Sequence, residues 1–195
     1  MDPVFTLPYS EFVVAQRLAS LLPSKSGFSI HAPLSRQERG IDLVIVRRRG
    51  RHSWVRTIQV KSSRTYSHRP AIKVRRGNRL RRFRFYTWLK TFECPRQADF
   101  FCLVALYPSV DVAQHREFGS WWSPQILVFT QREMRRLLRS IRTARGKPDR
   151  MFGFGFDDPR EVFQTRGHKG RKQRDFSRFV IERRIGMLRR SLGAR

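Results

Sequence analysis

The stretch GIDLVIVRRRGRHSWVRTIQVKSS, residues 40–63, places an acid, an amide and an amine in a basic and apolar setting. Asp42 opens one apolar run, and Gln59 and Lys61 close the run that follows Gly50. If the two runs form a hairpin centred just after Gly50, paired positions have numbers that add to 101, so Asp42 faces Gln59. Directly opposed residues on neighbouring strands point to the same side, with Cβ atoms about 4.5 to 5.5 Å apart.

These side chains suit a metal-assisted reaction at a phosphate. Strand alternation puts Lys61 on the side of Gln59 and turns Ile58 and Val60 towards the core. Carboxylate and amide oxygens are the ligands that Mg²⁺ takes at about 2.0 to 2.1 Å while it keeps several waters. A metal held by Asp42 and Gln59 would polarise a phosphodiester and acidify a water. Lys61 would orient or deprotonate that water, or neutralise charge that builds up on the phosphate.

An upstream acid belongs to the same pattern. The apolar residues of SEFVVAQRLASLL follow a helical spacing, which predicts a helix over 10–22 with Ser10 as N-cap and Pro23 as its stop. Glu11 near the start of this helix is a candidate further ligand of the metal or its water. Structural roles stay open as well: Asp42 could cap a turn, Lys61 could only contact a phosphate, and Glu11 could complement the positive end of its helix.

Further strands and helices are predicted around this hairpin. FSIHAPL and ADFFCLVALY indicate strands, the second one buried. A second hairpin is expected around Gly77 and Asn78, with one cationic face. QILVFTQREMRRLLRSI indicates a strand that runs into a helix, whose start at Thr130 has the spacing of a capping box. We interpret Gly153-Phe-Gly155 as a turn and FSRFVIERRIGMLRRSL as a final helix.

Charge dominates the composition. The 195 residues include 42 Lys and Arg against 15 Asp and Glu, which gives a formal net charge of +27. Residues 43–92 hold 16 of these cations and no acid. Such a surface favours a polyanion as partner, so nucleic acid is the first expectation. Four arginines of this segment are predicted to contact the nucleic-acid backbone: Arg64, Arg69, Arg82 and Arg84.

Aromatic residues offer a second mode of contact with nucleic acid. Tyr66, His68, Trp88, Trp121 and Trp122 could stack on splayed bases. Aromatic residues at strand spacing usually belong to the core, so only the two tryptophans of the Gly- and Ser-flanked pair are expected to be exposed.

Other classes of protein find little support. The histidines and the two cysteines lack zinc-ligand spacing, and the apolar surroundings of Cys102 predict a buried core thiol. The chain has no apolar run of about 18 residues, and its start lacks the pattern of a signal peptide. We therefore expect no membrane partner and a cytoplasmic or nucleoid-associated protein.

Taken together, Glu11, Asp42 and Gln59-Val60-Lys61 resemble the PD-(D/E)XK nuclease superfamily, whose restriction-endonuclease-like fold includes Holliday junction resolvases. The resemblance covers roughly residues 9–107, in the order helix, strand hairpin and later buried strand. It departs from the usual motif twice: no Pro precedes Asp42, and Gln59 replaces the acidic residue, as in Mrr-type members. The resemblance implies an α/β fold with a mixed central sheet flanked by helices, and cleavage that depends on Mg²⁺ or Mn²⁺.

The sequence thus predicts a nuclease domain over 1–142 and a basic, Gly-rich linker with a C-terminal helix over 143–195 that packs on or extends the core. The expected function is that of a metal-dependent endonuclease with DNA as its partner. Two alternatives remain: a non-catalytic nucleic-acid-binding protein of the ribosomal or nucleoid type, and a nuclease that acts on RNA. Whether the chain forms a homodimer is left open.

Overall fold

The computed structural model describes residues 9–33, 40–76, 79–108, 122–169 and 174–193, without the side chains of 68–82, 108 and 122. Within these ranges there are three α-helices: α1 (Tyr9–Leu21), α2 (Gln131–Arg139) and α3 (Ile181–Ser191). The nine strands are β1 (Phe28–His31), β2 (Leu43–Arg49), β3 (His52–Ser63), β4 (Thr65–Arg76), β5 (Arg79–Lys90), β6 (Phe100–Pro108), β7 (Trp122–Thr130), β8 (Met151–Phe156) and β9 (Val162–Arg166). Short 3₁₀ turns cover Ser24–Ser26 and Ser177–Phe179.

The central sheet is five-stranded and mixed, in the order β1-β2-β3-β6-β7. Strands β3 and β6 run parallel, and the other neighbours are antiparallel. The α/β class and the mixed sheet expected from the sequence are therefore confirmed.

The register of the β2–β3 hairpin is also confirmed. Leu43 pairs with Ile58 and Arg49 with His52, so the paired numbers add to 101 along the whole ladder. Gly50 takes a φ of 57° in the turn, a left-handed conformation that glycine adopts at little cost.

A four-stranded antiparallel sheet, here called the outer sheet, has the order β4-β5-β8-β9. Strand β3 passes into β4 through Arg64, so the chain leaves the central sheet and enters the outer sheet almost without interruption. Strands β4 and β5 pair from Arg76 and Arg79 onwards, which confirms the hairpin predicted around residues 77 and 78. This second sheet was not expected.

The apolar residues form two clusters, one on each face of the central sheet. Helices α1 and α3 cover one face, where Val14, Leu18 and Leu188 pack against Leu43 and Val60. The other face packs against the outer sheet, through residues that include Phe101 and Leu103 from the centre and Phe85, Phe152 and Phe154 from the outer sheet. Helices α1 and α3 therefore flank the sheet on one side. The other side, where further helices were expected, is covered by the outer sheet together with Met134 and Leu137 of α2.

One local prediction is confirmed and two are wrong. The capping box at Thr130 is present, with Glu133 bonded back to the Thr130 backbone. The predicted turn at Gly153-Phe-Gly155 is wrong, because these residues lie inside β8. The first helix begins at Tyr9, so Ser10 lies within it rather than capping it. None of the helices in the described ranges has the length and apolar character needed to span a membrane.

Candidate active site

Asp42 is bonded to β3 on both sides of Gln59. Its backbone N–H donates to the carbonyl of Ile58 at 2.9 Å, and its Oδ2 accepts from the N–H of Val60 at 2.7 Å. The half-buried carboxylate is thus fixed beside the position predicted to face it. A carboxylate has about four acceptor sites, so this one hydrogen bond leaves it able to bind a further group.

Gln59 is buried, with 7% of its surface exposed, although it is a polar residue. Within the described part of the chain, its Oε1 has no hydrogen-bond partner. An unpaired buried acceptor costs about 1 to 3 kcal/mol. A group that brings positive charge or a donor to this oxygen would remove that cost.

Gly40 allows Pro95 to pack closely beside Gln59. This glycine has a φ of 93°, and a Cβ on it would lie 2.5 Å from Pro95 Cγ and 3.5 Å from Gln59 Nε2. Any other residue at position 40 would therefore be strained and would collide with the segment that covers Gln59.

Lys61 lies two residues beyond Gln59 on β3. In the parallel ladder with β6, Gln59 pairs with Phe101 and Lys61 with Leu103, so both point to the face that the outer sheet covers. The Lys61 side chain is half-buried, and its Nζ lies 5.5 Å from the centroid of the Phe92 ring. An ammonium group that has lost part of its hydration shell is stabilised by contact with an aromatic face.

The segment that covers Gln59, residues 91–99, is held firmly in place. The amide nitrogen of Gln131 lies 2.9 to 3.0 Å from the carbonyl oxygens of Pro95, Arg96 and Ala98. At the end of the segment, Asp99 Oδ2 accepts from the N–H of Thr57 at 3.0 Å. This segment is thus fixed to the rest of the fold, although only Ala98 of its residues is buried, and Asp42 and Lys61 beside it are half-buried.

Cys102 is a buried core thiol, as predicted. Burial, and secondarily the negative charge of Asp42, raises the pKa of Cys102 to about 12. The thiol therefore stays protonated at neutral pH and is not a nucleophile.

The donor set fits a hard cation, although the described residues contain no cluster of three or more His, Cys, Asp or Glu side chains that could hold a metal ion. Asp42 is the only acid on the hairpin, because Gln59 supplies an amide in place of a second one. The unpaired Oε1 of Gln59, next to the carboxylate of Asp42, is an oxygen ligand of the kind that Mg²⁺ binds. Glu11 is half-buried in the first turn of α1 and takes part in another interaction, and its role as a ligand stays a prediction.

The predicted DNA-contacting arginines are only partly described. Arg64 is exposed at the junction of β3 and β4, and Arg84 is half-buried on β5 between the buried Phe83 and Phe85. The side chains of Arg69 and Arg82 lie outside the described residues. The alternation expected on β5 is therefore present at Arg84.

One cation of the basic segment has a structural role that the sequence did not reveal. Arg47 is buried, lies over the rings of Phe28 and Trp54 at 5.3 and 5.7 Å, and donates to the carbonyl of Leu192 at 3.1 Å. It holds the C-terminal end of α3 against the central sheet and is not available to a phosphate.

Sequence reasoning also missed Gly40 and Phe92. The glycine next to the Ile-Asp pair was a usable signal, since a glycine just before a strand often marks a close approach of backbone. No signal in the sequence joined Phe92 to Lys61, because their contact depends on the path of the outer sheet.

Comparison with known proteins found no matching family model, no matching curated protein and no matching solved structure.

Proposed function

We propose that the chain is a metal-dependent nuclease that hydrolyses phosphodiester bonds of DNA, on a restriction-endonuclease-like core. The observation that carries the proposal is the position of Asp42, which is bonded to β3 on both sides of Gln59. Lys61 follows on the same strand face. The order of helix α1, hairpin β2–β3 and buried strand β6 agrees with the order that the resemblance implies.

Each residue has a role in this proposal. Asp42 and the Oε1 of Gln59 would hold Mg²⁺ or Mn²⁺. Glu11, the further ligand predicted from the sequence, is carried by α1, which packs on the opposite face of the central sheet from Gln59 and Lys61. The bound ion would supply Lewis-acid polarisation of the phosphodiester and acidification of a water. Lys61 holds its charge at the edge of a partly dry site, where it stabilises negative charge on the phosphate more strongly than in bulk water. The basic residues of β3 to β5 hold the DNA backbone.

A non-catalytic DNA-binding protein is the second candidate. The burial of Gln59 favours it, because a metal would have to reach an amide of which only 7% of the surface is exposed. The bond from Val60 to Asp42 also gives the acid a structural role. Binding through the +27 charge would then be the whole function.

The two candidates separate in one experiment. Supercoiled, branched and single-stranded DNA, and RNA, are each incubated with Mg²⁺, with Mn²⁺ and with EDTA. The nuclease proposal predicts cleavage of at least one DNA in a metal lane and none in EDTA. Binding of all substrates without cleavage in any lane would support the non-catalytic protein, and cleavage of RNA alone would move the substrate to RNA.

A further inference from the structure

Three aromatic rings form a cluster on the outer sheet. Tyr66 on β4 pairs directly with Tyr86 on β5, and their ring centroids are 5.4 Å apart. Trp88, two residues further along β5, lies 5.6 Å from Tyr66 and 5.2 Å from Tyr86. Tyr66 is 42% exposed and Trp88 is 37% exposed, which corrects the expectation that aromatic residues at this spacing would be core.

The cluster lies on the face of the outer sheet that points away from the core. Phe85 and Leu89 alternate with Tyr86 and Trp88 along β5 and pack into the core. Trp88 lies directly against the backbone of β8, because a Cβ on Gly153 would come within 2.4 Å of its Cδ1. The indole ring of Trp88 therefore packs on the surface of the sheet, and Gly153 fixes its position.

One guanidinium lies beside these rings, and two exposed cations lie at the ends of the same strands. The guanidinium of Arg166 lies 6.0 Å from the centroid of Trp88 and is held by two bonds to Asp149, at 3.1 and 3.2 Å. The hydrogen bond from Arg166 also lowers the pKa of Asp149, so this carboxylate stays ionised at neutral pH. Arg64 and Lys90 are exposed, one at the start of β4 and the other at the end of β5.

We propose that this aromatic cluster is a stacking site for the unpaired bases of single-stranded DNA. Every base offers a π face, and aromatic rings beside cations bind single strands through stacking and backbone contacts. A duplex hides its base faces within the helix, so the exposed rings are of use only to a strand with unpaired bases. The choice of DNA over RNA rests on the proposed function.

The cluster is separate from the candidate active site. Lys61 and Tyr66 are five residues apart on the nearly continuous β3–β4 strand, a span of at most about 17 Å. Lys61 points to the face of the central sheet that the outer sheet covers, whereas Tyr66 and Trp88 lie on the opposite face of the outer sheet. A strand bound at the cluster would therefore have to pass around the edge of the outer sheet to reach Asp42 and Lys61.

The test compares two DNA strands that differ only in their bases. Binding of fluorescently labelled oligo(dT) and of an abasic oligomer of equal length is measured by anisotropy in EDTA, where no cleavage occurs. We expect the parent protein to bind oligo(dT) at least about fivefold more tightly, because stacking contributes roughly that factor or more per base. Trp88→Ala and Tyr66→Ser should each lose about fivefold or more on oligo(dT) and little on the abasic strand. Tyr66 lies on an edge strand, so its loss opens no core.

Phe12→Ala is the matched control, since Phe12 is an exposed aromatic residue of α1 with 52% of its surface accessible. It should bind both strands as the parent does, and circular dichroism should show all variants folded. Equal binding of oligo(dT) and the abasic strand by the parent would overturn the proposal, as would an equal loss in the control. Tighter binding of oligo(rU) would overturn the choice of DNA. The binding assay contains no metal, so its outcome does not depend on whether the protein cleaves DNA, and the nuclease proposal is tested separately.

Discussion

At the scale of single residues, Asp42 has two functions that a substitution can separate. Its oxygen satisfies the N–H of Val60, and its charge is the one negative charge on the hairpin. Gln59 beside it is buried with an acceptor that nothing in the described residues satisfies. An unsatisfied polar group costs stability, and such groups are a reason to look for a ligand.

Lys61 should be needed for cleavage and hardly for binding. We expect Lys61→Ala to reduce the cleavage rate by at least about 100-fold, the low end of what a positioned proton-transfer or charge-stabilising group contributes. DNA affinity should change little, because one lysine is a small part of a +27 charge. The rates and affinities are compared with those of Lys25→Ala, an exposed lysine of the first 3₁₀ turn. If DNA affinity and cleavage rate fell in parallel in Lys61→Ala, Lys61 would be a phosphate contact without a catalytic role.

Gln59→Glu should strengthen metal binding at a cost in stability without metal. A carboxylate adds the formal charge that offsets dehydration of Mg²⁺, but burial without a donor disfavours it in the metal-free protein. We expect a lower Mg²⁺ concentration for half-maximal cleavage, and a melting temperature that rises with Mg²⁺ more than that of the parent.

Gln125→Glu is the matched control for this change, since Gln125 is 2% exposed and its Oε1 also lacks a partner in the described structure. Its melting temperature should not respond to Mg²⁺ more than the parent's does. An equal response of the two variants would mean that position 59 is not a metal site.

At the scale of elements, the β2–β3 hairpin was predictable to the residue. The two apolar runs are of similar length around Gly50, which fixes the turn and thereby the register. The strand β8 could have been predicted too, because Phe152, Phe154 and Phe156 alternate with the glycines, and a period of two is a strand pattern. Glycines favour a turn, but here the alternation with phenylalanine decides the structure.

The outer sheet itself could not be predicted from the sequence. Its strands come from residues far apart in the chain, and β5 pairs with β8 across more than sixty positions, Lys90 with Met151 (151 − 90 = 61). Local patterns predict strands but not which distant strands pair. For the same reason, the cover over Gln59 and the contact of Lys61 with Phe92 became visible only in the structure.

Two glycines allow a matched test of the element that carries Asp42. Gly40 and Gly50 both have positive φ, 93° and 57°, but a Cβ on Gly50 would meet nothing within 4 Å, whereas one on Gly40 would collide with Pro95. Gly50→Ala should lower the free energy of unfolding by about 1 to 2 kcal/mol, the cost of left-handed backbone. Gly40→Ala should cost more and should also impair cleavage. Denaturant unfolding and cleavage assays check this, and an equal loss in both variants would contradict the close packing at Gly40.

At the scale of the whole molecule, the net charge of +27 favours a polyanion as partner. The acids in the described ranges are largely used within the fold: Glu133 in the capping box and with Arg184, Glu182 with Arg17, and Asp149 with Arg166. Most arginines of the described ranges form no ion pair with an acid, although Arg47 shows that a basic residue of the segment can serve the core instead.

DNA binding should therefore weaken steeply with salt and persist in EDTA. Replacing Arg82 and Arg84 together by Ala should flatten the plot of log affinity against log salt by about one to two units, because each neutralised phosphate contributes about 0.9. The control removes two exposed cations from α2, Arg132 and Arg136. A slope that changes only in the control would move the path of the DNA from β5 to the helix.

The most direct measurement of the central claim is the cleavage rate as a function of Mg²⁺ concentration for Asp42→Asn. The amide oxygen of Asn can still accept the hydrogen bond from Val60, so the protein should fold while it loses the charge that holds the metal. Asp99→Asn is the matched control, because Asp99 also accepts a hydrogen bond from a β3 N–H, that of Thr57. Circular dichroism establishes that both variants are folded. We predict that Asp42→Asn shows no cleavage at any Mg²⁺ concentration at which the parent and Asp99→Asn cut DNA. A folded Asp42→Asn protein that cuts as well as the parent would contradict the proposal that Asp42 is a metal ligand of a nuclease.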